Sequence, residues 1–227
     1  MTSVLNQGCR LEVHAVLPVG EAMQCTAQLV ELEREPRKIK VTTKITTATR
    51  SGGLACTAYV YAVIPQKASS SSSSSEPPRE QKEAREPAAV PAGAVQVAEH
   101  ALSAAAGRHY AYLSGDFNPI HWIHPLAKMS GFPTCILHGF AQMALVQEDL
   151  VRSRCHGDAG QLEVLDVRFV SPLVLGAGAA MAVHVDDASS AVLVTDGDKG
   201  AVTVVGTFEL RGRMTPAPDG LVEHSRL

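Results

Sequence analysis

Residues 66 to 93, QKASSSSSSSEPPREQKEAREPAAVPAG, replace any hydrophobic period with serine, proline, glutamate and alanine, and the segments on either side of this linker look alike. Before it, LEVHAVLPVGEAMQCTAQLVE (11 to 31) leads to IKVTTKITTATRSGGLACTAYVYAVI (39 to 64). After it, LEVLDVRFVSPLVLGAGAAMAVH (162 to 184) leads to AVLVTDGDKGAVTVVGTFEL (191 to 210). Val41, Thr43 and Ile45 alternate with Thr42, Lys44 and Thr46, and the runs break at Ser51-Gly52-Gly53 and Asp196-Gly197-Asp198. These are strand and hairpin signals, so the chain is read as a duplicated β unit.

The halves differ in what precedes their strands. Some seventy residues separate the linker from Leu162, and they hold a helix, GFAQMALVQEDLVRS, whose Phe140, Met143, Ala144 and Val151 form an apolar stripe and which Gly157 is placed to end. Only ten residues precede Leu11. The first half therefore has sheet strands without a helix for them to wrap, and is expected to lie edge to edge or face to face with the second half, or against another chain.

A chain of 227 residues with 45% hydrophobic residues and a formal charge of -3 can bury a core and has no basic excess for nucleic acid or an anionic membrane. Cys9, Cys25, Cys56, Cys135 and Cys155 are odd in number with no C-x-x-C pair, and are expected to be reduced. No signal-peptide pattern opens the sequence and no window reaches the length of a membrane span, which predicts a soluble, intracellular protein. At the far end, Ser225-Arg226-Leu227 follows TPAPDG and matches the small-basic-leucine pattern of a peroxisomal address, with an ordinary tail as the alternative.

The stretch LSGDFNPIH, 113 to 121, has too many turn formers for a core strand. SAAAGRHYAYLSG (103 to 115) reads as a short helix, after which Gly115 and Pro119 force irregular backbone. A turn through Asn118-Pro119 can bring Asp116 and His121 into one cavity, with Asn118 holding the turn. The same residues also fit an Asx turn capping the next segment, with His121 as a hydrogen-bonded core residue.

The whole run YAYLSGDFNPIHWIHPLAKMSGFPTCILHGF, 110 to 140, resembles the MaoC-like family of (R)-specific enoyl-CoA hydratases and 3-hydroxyacyl dehydratases, the hydratase 2 group. The resemblance rests on the Leu-Ser-Gly lead-in, the G-D-x-N-P-[IL]-H block at Gly115 to His121, Ala127, and the G-F-P-x-x-I-L-H-G run from Gly131 to Gly139. It implies an α+β hot-dog fold, an antiparallel curved sheet wrapped around a central helix. The family's double hot-dog would have an incomplete first half here: 1–65 as partial hot-dog strands, 66–93 as linker, 94–214 as the catalytic domain and 215–227 as the tail. By the same resemblance Asp116 and His121 share a water, Asn118 orients the water or the histidine, Gly139 offers its N–H to the thioester oxygen, and His138 orients the helix entry or packs. No metal and no cofactor is expected, coenzyme A being part of the substrate.

A metal site from His121, His124 and His138 has no third ligand at a diagnostic spacing. His124 reads as structural or at the pocket rim, Cys135 as a buried small hydrophobe and Trp122 as core packing. Arg108, Lys128, Arg152 and Lys199 all suit the phosphates of coenzyme A. The implied function is hydration of trans-2-enoyl-CoA to (3R)-3-hydroxyacyl-CoA in peroxisomal fatty-acid breakdown. A dehydratase of fatty-acid synthesis and a non-catalytic acyl-CoA binding module are its rivals, and a thioesterase is a weaker one. The expected partners are the acyl-CoA, the import receptor reading Ser225-Arg226-Leu227, and a second copy in a possible homodimer, with no nucleic acid.

Overall fold

The computed structural model describes residues 4–66, 88–197 and 199–212. Most of the serine-rich linker and the tail with Ser225-Arg226-Leu227 lie outside them.

Among the described residues nine strands form one antiparallel sheet. The first half supplies β1 (Leu5–Val13), β2 (Gln24–Glu35), β3 (Lys38–Ala48) and β4 (Leu54–Pro65). The second half supplies β5 (Val95–Ala101), β6 (Leu162–Phe169), β7 (Ala180–Asp186), β8 (Ala191–Asp196) and β9 (Val202–Leu210). Their order across the sheet is β2-β3-β4-β1-β6-β9-β8-β7-β5. The duplication is visible in that order: β1 to β4 repeat the arrangement of β6 to β9, mirrored about the β1–β6 seam, and β5 has no counterpart among the described residues. The halves thus meet edge to edge. β1 also begins at Leu5, six residues ahead of the Leu11 that starts the hydrophobic run.

The seam is tight because of a glycine. A Cβ on Gly8 would stand 2.1 Å from the Val167 carbonyl oxygen. Side chains on one face continue across the seam, with Cys9 opposite Val167 and Leu11 opposite Leu165. That face curves around α3 (Gly139–Arg154), against which Leu165, Val167, Val183, Val192, Val194 and Val204 are buried. Over the first half the same row continues through Val60, Thr43 and Leu29, but no helix among the described residues covers it, and Leu29 and Leu32 on this face stay 55% and 50% exposed. The hot-dog arrangement is therefore complete in the second half and, among the described residues, open in the first.

The central helix follows its predicted span but buries a different stripe. Ala141, Gln142, Met143, Val146, Asp149 and Leu150 face the sheet, Phe140 and Val151 are half-buried, and Ala144 faces outward. The apolar count missed Gln142 and Asp149 because each carries its partner into the core. Thr203 Oγ1 donates to Gln142 Oε1 at 2.7 Å, and His100 Nε2 meets Asp149 Oδ2 at 2.7 Å. Gly157, in left-handed backbone, donates to the Val151 carbonyl and closes the helix end. All five cysteines are free.

Candidate active site

Two connections position the site. The first leaves β5 through α1 (Ala106–Ser114), which stops at Gly115 in left-handed backbone, φ 76°. There the chain turns: the Asn118 N–H donates to Asp116 Oδ1 at 3.1 Å, and the Ile120 N–H donates to Asn118 Oδ1 at 3.4 Å, capping a single 3-10 turn over Pro119–His121. The Asx turn is present, and the same turn leaves Asp116 and His121 with side-chain atoms within 4.8 Å of each other. Asn118 holds the turn with its side chain, and is exposed. His121 is carried inward to 8% exposure.

The second connection runs through α2 (His124–Met129) and an extended stretch to α3. Leu137 N–H donates to the Leu173 carbonyl and Leu175 N–H to the Cys135 carbonyl, both at 2.8 Å, so residues 135 to 137 are laced to 173 to 175. This fixes His138 at the mouth of α3, at 2% exposure.

The two connections clasp each other. His121 Nδ1 lies 2.9 Å from the Ile136 carbonyl, and because a carbonyl only accepts, that nitrogen carries the proton. Nε2 of His121 is then left with a free lone pair. Likewise His138 Nε2 donates to the Asp116 carbonyl at 3.1 Å and stands 3.9 Å from the Asp116 carboxylate, while His138 Nδ1 is buried with no hydrogen-bond partner. The two imidazoles stack, centroids 3.5 Å apart and 23° from parallel, and Tyr110 tilts against His138 at 4.9 Å. Asp116, His121 and His138 each bring a ligand-capable atom within 4.8 Å of the others.

Burial sets the electrostatics. It pushes both histidines below the ordinary imidazole range, with the mutual charge adding to the effect on His121 and the Ile136 carbonyl and Asp116 opposing it. It also raises the Tyr110 hydroxyl, helped by Asp116. Asp116 itself keeps 43% of its side chain in solvent. The site is thus a neutral, buried pair of rings beside a water-facing carboxylate.

Gly139 opens α3, and its N–H has no intrahelical acceptor by position; no side chain caps this helix and no acid sits in its first turn. A Cβ on Gly139 would meet the Phe169 ring at 2.4 Å, so the space beside this amide is filled by Phe169 from the end of β6, which packs edge-on to Phe140. The glycine makes room for an aromatic ring.

Among the other candidates, His124 bonds Thr134 through Nδ1 at 2.5 Å and is not part of the cluster. Trp122 is 38% exposed with its indole N–H on the Phe117 carbonyl; it braces the turn from outside and does not pack in the core as expected. Cys135 is buried. Arg108, Lys128, Arg152 and Lys199 are all exposed, and Arg152 pairs with Glu148.

Three contributors were missed in the sequence. Tyr110 opens the matched run, 110 to 140, with no role assigned to it. Phe169 sits outside both motif blocks. Gly107 is packed so closely that a Cβ would lie 2.0 Å from the His121 carbonyl oxygen, and its only sequence signal is a glycine inside an alanine-rich helix.

Comparison with known proteins agrees with this architecture. A MaoC like domain matches residues 86–206. The peroxisomal enoyl-CoA hydratase 2 of Arabidopsis thaliana is 34% identical over 64 residues, 28% of this chain, and the matched part spans 21% of that curated relative's length. A MaoC-like dehydratase from Phytophthora capsici has a similar structure, TM-score 0.71 at 22% identity over 94% of this chain and 72% of that one. A Mycobacterium tuberculosis protein described as a double hotdogfold gives a TM-score of 0.61 at 14% identity over 91% of this chain and 74% of its own. With the domain match covering more than half of its 227 residues and a complete hot-dog in the same region, the chain belongs to the MaoC-like family.

Proposed function

We propose that this chain adds water to trans-2-enoyl-CoA to give (3R)-3-hydroxyacyl-CoA, and runs the reverse dehydration at the same site. The observation that carries the reading is the fixed tautomer of His121: with Nδ1–H held by the Ile136 carbonyl, Nε2 offers its lone pair beside the Asp116 carboxylate.

A water placed between these two groups gives one proton up as its oxygen bonds to the β-carbon, and the electron pair of the double bond moves toward the thioester, where the Gly139 N–H at the start of α3 receives the charge on oxygen. The α-carbon then takes a proton from the Asp116–His121 pair, on the face from which the water came. The electrons end in the new C–H bond and the thioester is restored. Neither metal nor redox cofactor enters these steps. Asn118 contributes by holding the turn that presents both groups.

The experiment is hydration of crotonyl-CoA followed by loss of enone absorbance, with Asp116→Asn and His121→Ala. Each variant should lose about 10²- to 10⁴-fold in rate while keeping its fold. A flat trace from folded wild-type protein sinks the reading. Peroxisomal breakdown of fatty acids is the setting supported by the Ser225-Arg226-Leu227 ending and by the peroxisomal relative. In that setting the import receptor is a partner, and a homodimer through the open first half remains part of the proposal. A reporter bearing the last ten or so residues should enter peroxisomes and fail to when Leu227 is removed.

A non-catalytic acyl-CoA binding module is favoured by one observation, the first half's uncovered sheet. It is separated by Asp116→Asn, which in that case leaves turnover absent in both proteins and ligand affinity unchanged.

A further inference from the structure

We propose that His138 is a positioning residue for the hydration: its Nε2–H holds the Asp116 main chain and its ring face holds the His121 imidazole, so that the carboxylate and the free Nε2 of His121 address one water. The inference rests on the hydratase reading and gives His138 a part in it that acts only through the other two groups.

Asp116 is fastened lightly within its own loop. Its N–H donates to Ser114 Oγ at 3.2 Å and its Oδ1 accepts from the Asn118 N–H at 3.1 Å, so both bonds move with the loop. Gly115 in left-handed backbone precedes it, and 43% of its side chain is in solvent. Among the described residues a single hydrogen bond ties Asp116 to another connection: His138 Nε2, 22 positions on, donates to the Asp116 carbonyl at 3.1 Å. His138 is itself firmly seated. Its carbonyl accepts from the Ala141 and Gln142 N–H groups at 3.1 and 3.2 Å in the first turn of α3, and the Leu137 N–H before it is bonded to the Leu173 carbonyl.

The same stretch fixes the second group. Ile136, two positions before His138, takes the His121 Nδ1–H on its carbonyl, and its own N–H donates to the Ile120 carbonyl at 3.3 Å. The His138 ring then covers the face of His121 at 3.5 Å, with Tyr110 of α1 tilted against His138. Residues 136 to 138 thus set the relative placement of the carboxylate and the imidazole while contributing neither.

Packing alone does not account for a histidine here. Its Nδ1 is buried without a partner, and a buried lone pair with no donor is destabilising. A phenylalanine would stack on His121 and leave no polar atom unmet. What phenylalanine lacks is the donor toward Asp116. Once that donor is gone, a shift of about 1 Å in the loop is enough to cost about 10²-fold in rate.

The test compares His138→Phe, which keeps a flat ring, with His138→Gln, which keeps an N–H donor where Nε2 stands. On crotonyl-CoA, folded His138→Phe should lose about 10²-fold in kcat with KM changed by less than about threefold, and His138→Gln should recover to within about tenfold of the wild type. A measurement on the unsubstituted protein stands beside these in case His138→Phe does not fold. Nitrogen NMR of histidine-labelled wild type should find the ring proton of His138 on Nε2 and that of His121 on Nδ1. A His138 proton on Nδ1, an unimpaired His138→Phe, equal losses in the two variants, or a loss carried by KM overturns the role while the hydratase reading stands. A flat trace from folded wild-type protein overturns that reading and the role with it.

Discussion

His121 and His138 stack 3.5 Å apart although they belong to different connections, one following α1 and the other opening α3. Two rings this close and this buried cannot both be charged at little cost, so the resting pair is neutral.

Acidification should therefore weaken the protein and its activity together. His121, His138 and His184 are all pushed below the ordinary value of 6.5 by burial. Between that value and their folded values the unfolded chain binds more protons than the folded one, so the stability is present above about pH 6.5 and is lost as the pH falls. The urea midpoint should hold from pH 8 to about 7 and drop below 6.5. On the acid side kcat/KM should fall with an apparent pKa under 6.5 that belongs to the stacked pair as a unit. A profile already falling above 6.5 would contradict neutral rings.

Gly107→Ala separates packing from propensity. In a free helix the change favours helix by about 1 kcal/mol. Here the new methyl would meet the His121 carbonyl oxygen at 2.0 Å. The expected outcome is a loss of about 1–3 kcal/mol in chemical denaturation. A displacement of about 1 Å at His121 should also cost about 10²-fold in turnover. A stabilised, active variant would show that α1 does not seat the loop.

The His100–Asp149 pair ties β5 to α3. His100→Ala strands a carboxylate that is 3% exposed, and should cost about 1.5–3 kcal/mol. Replacing both residues with leucine should recover most of that loss, because the buried charge then goes with its partner. Thermal unfolding of the single and double variants decides it.

Amide exchange should divide the sheet. Strands β6, β8 and β9 lie under α3 and should exchange only with global unfolding, whereas β2, exposed along its length, should exchange through local opening. Equal protection in β2 and β9 would mean that the first half is covered by something in solution.

Much of this was legible in the residues. Alternation in 39 to 46 gave β3, and the Ser51-Gly52-Gly53 break gave the turn into β4. The G-D-x-N-P-I-H block located Asp116 and His121 in one place. What escaped depends on partners distant in sequence. The β1–β6 seam turns on the close approach of Gly8 to Val167, the buried side of α3 includes Gln142 because Thr203 meets it, and His138, already a candidate, is held by a stack with a residue seventeen positions earlier. Periodicity within one segment carries none of these.

The strand order has a last consequence for the chain between the halves. β4 and β5 are six strand spacings apart, and alternating directions put the end of β4 and the start of β5 at opposite rims. A diagonal of roughly 40 Å needs about a dozen extended residues, and residues 66 to 94 supply 29. Evolution can lengthen or trim that tether freely, whereas one residue inserted at Cys9 would turn every following side chain of the seam inside out.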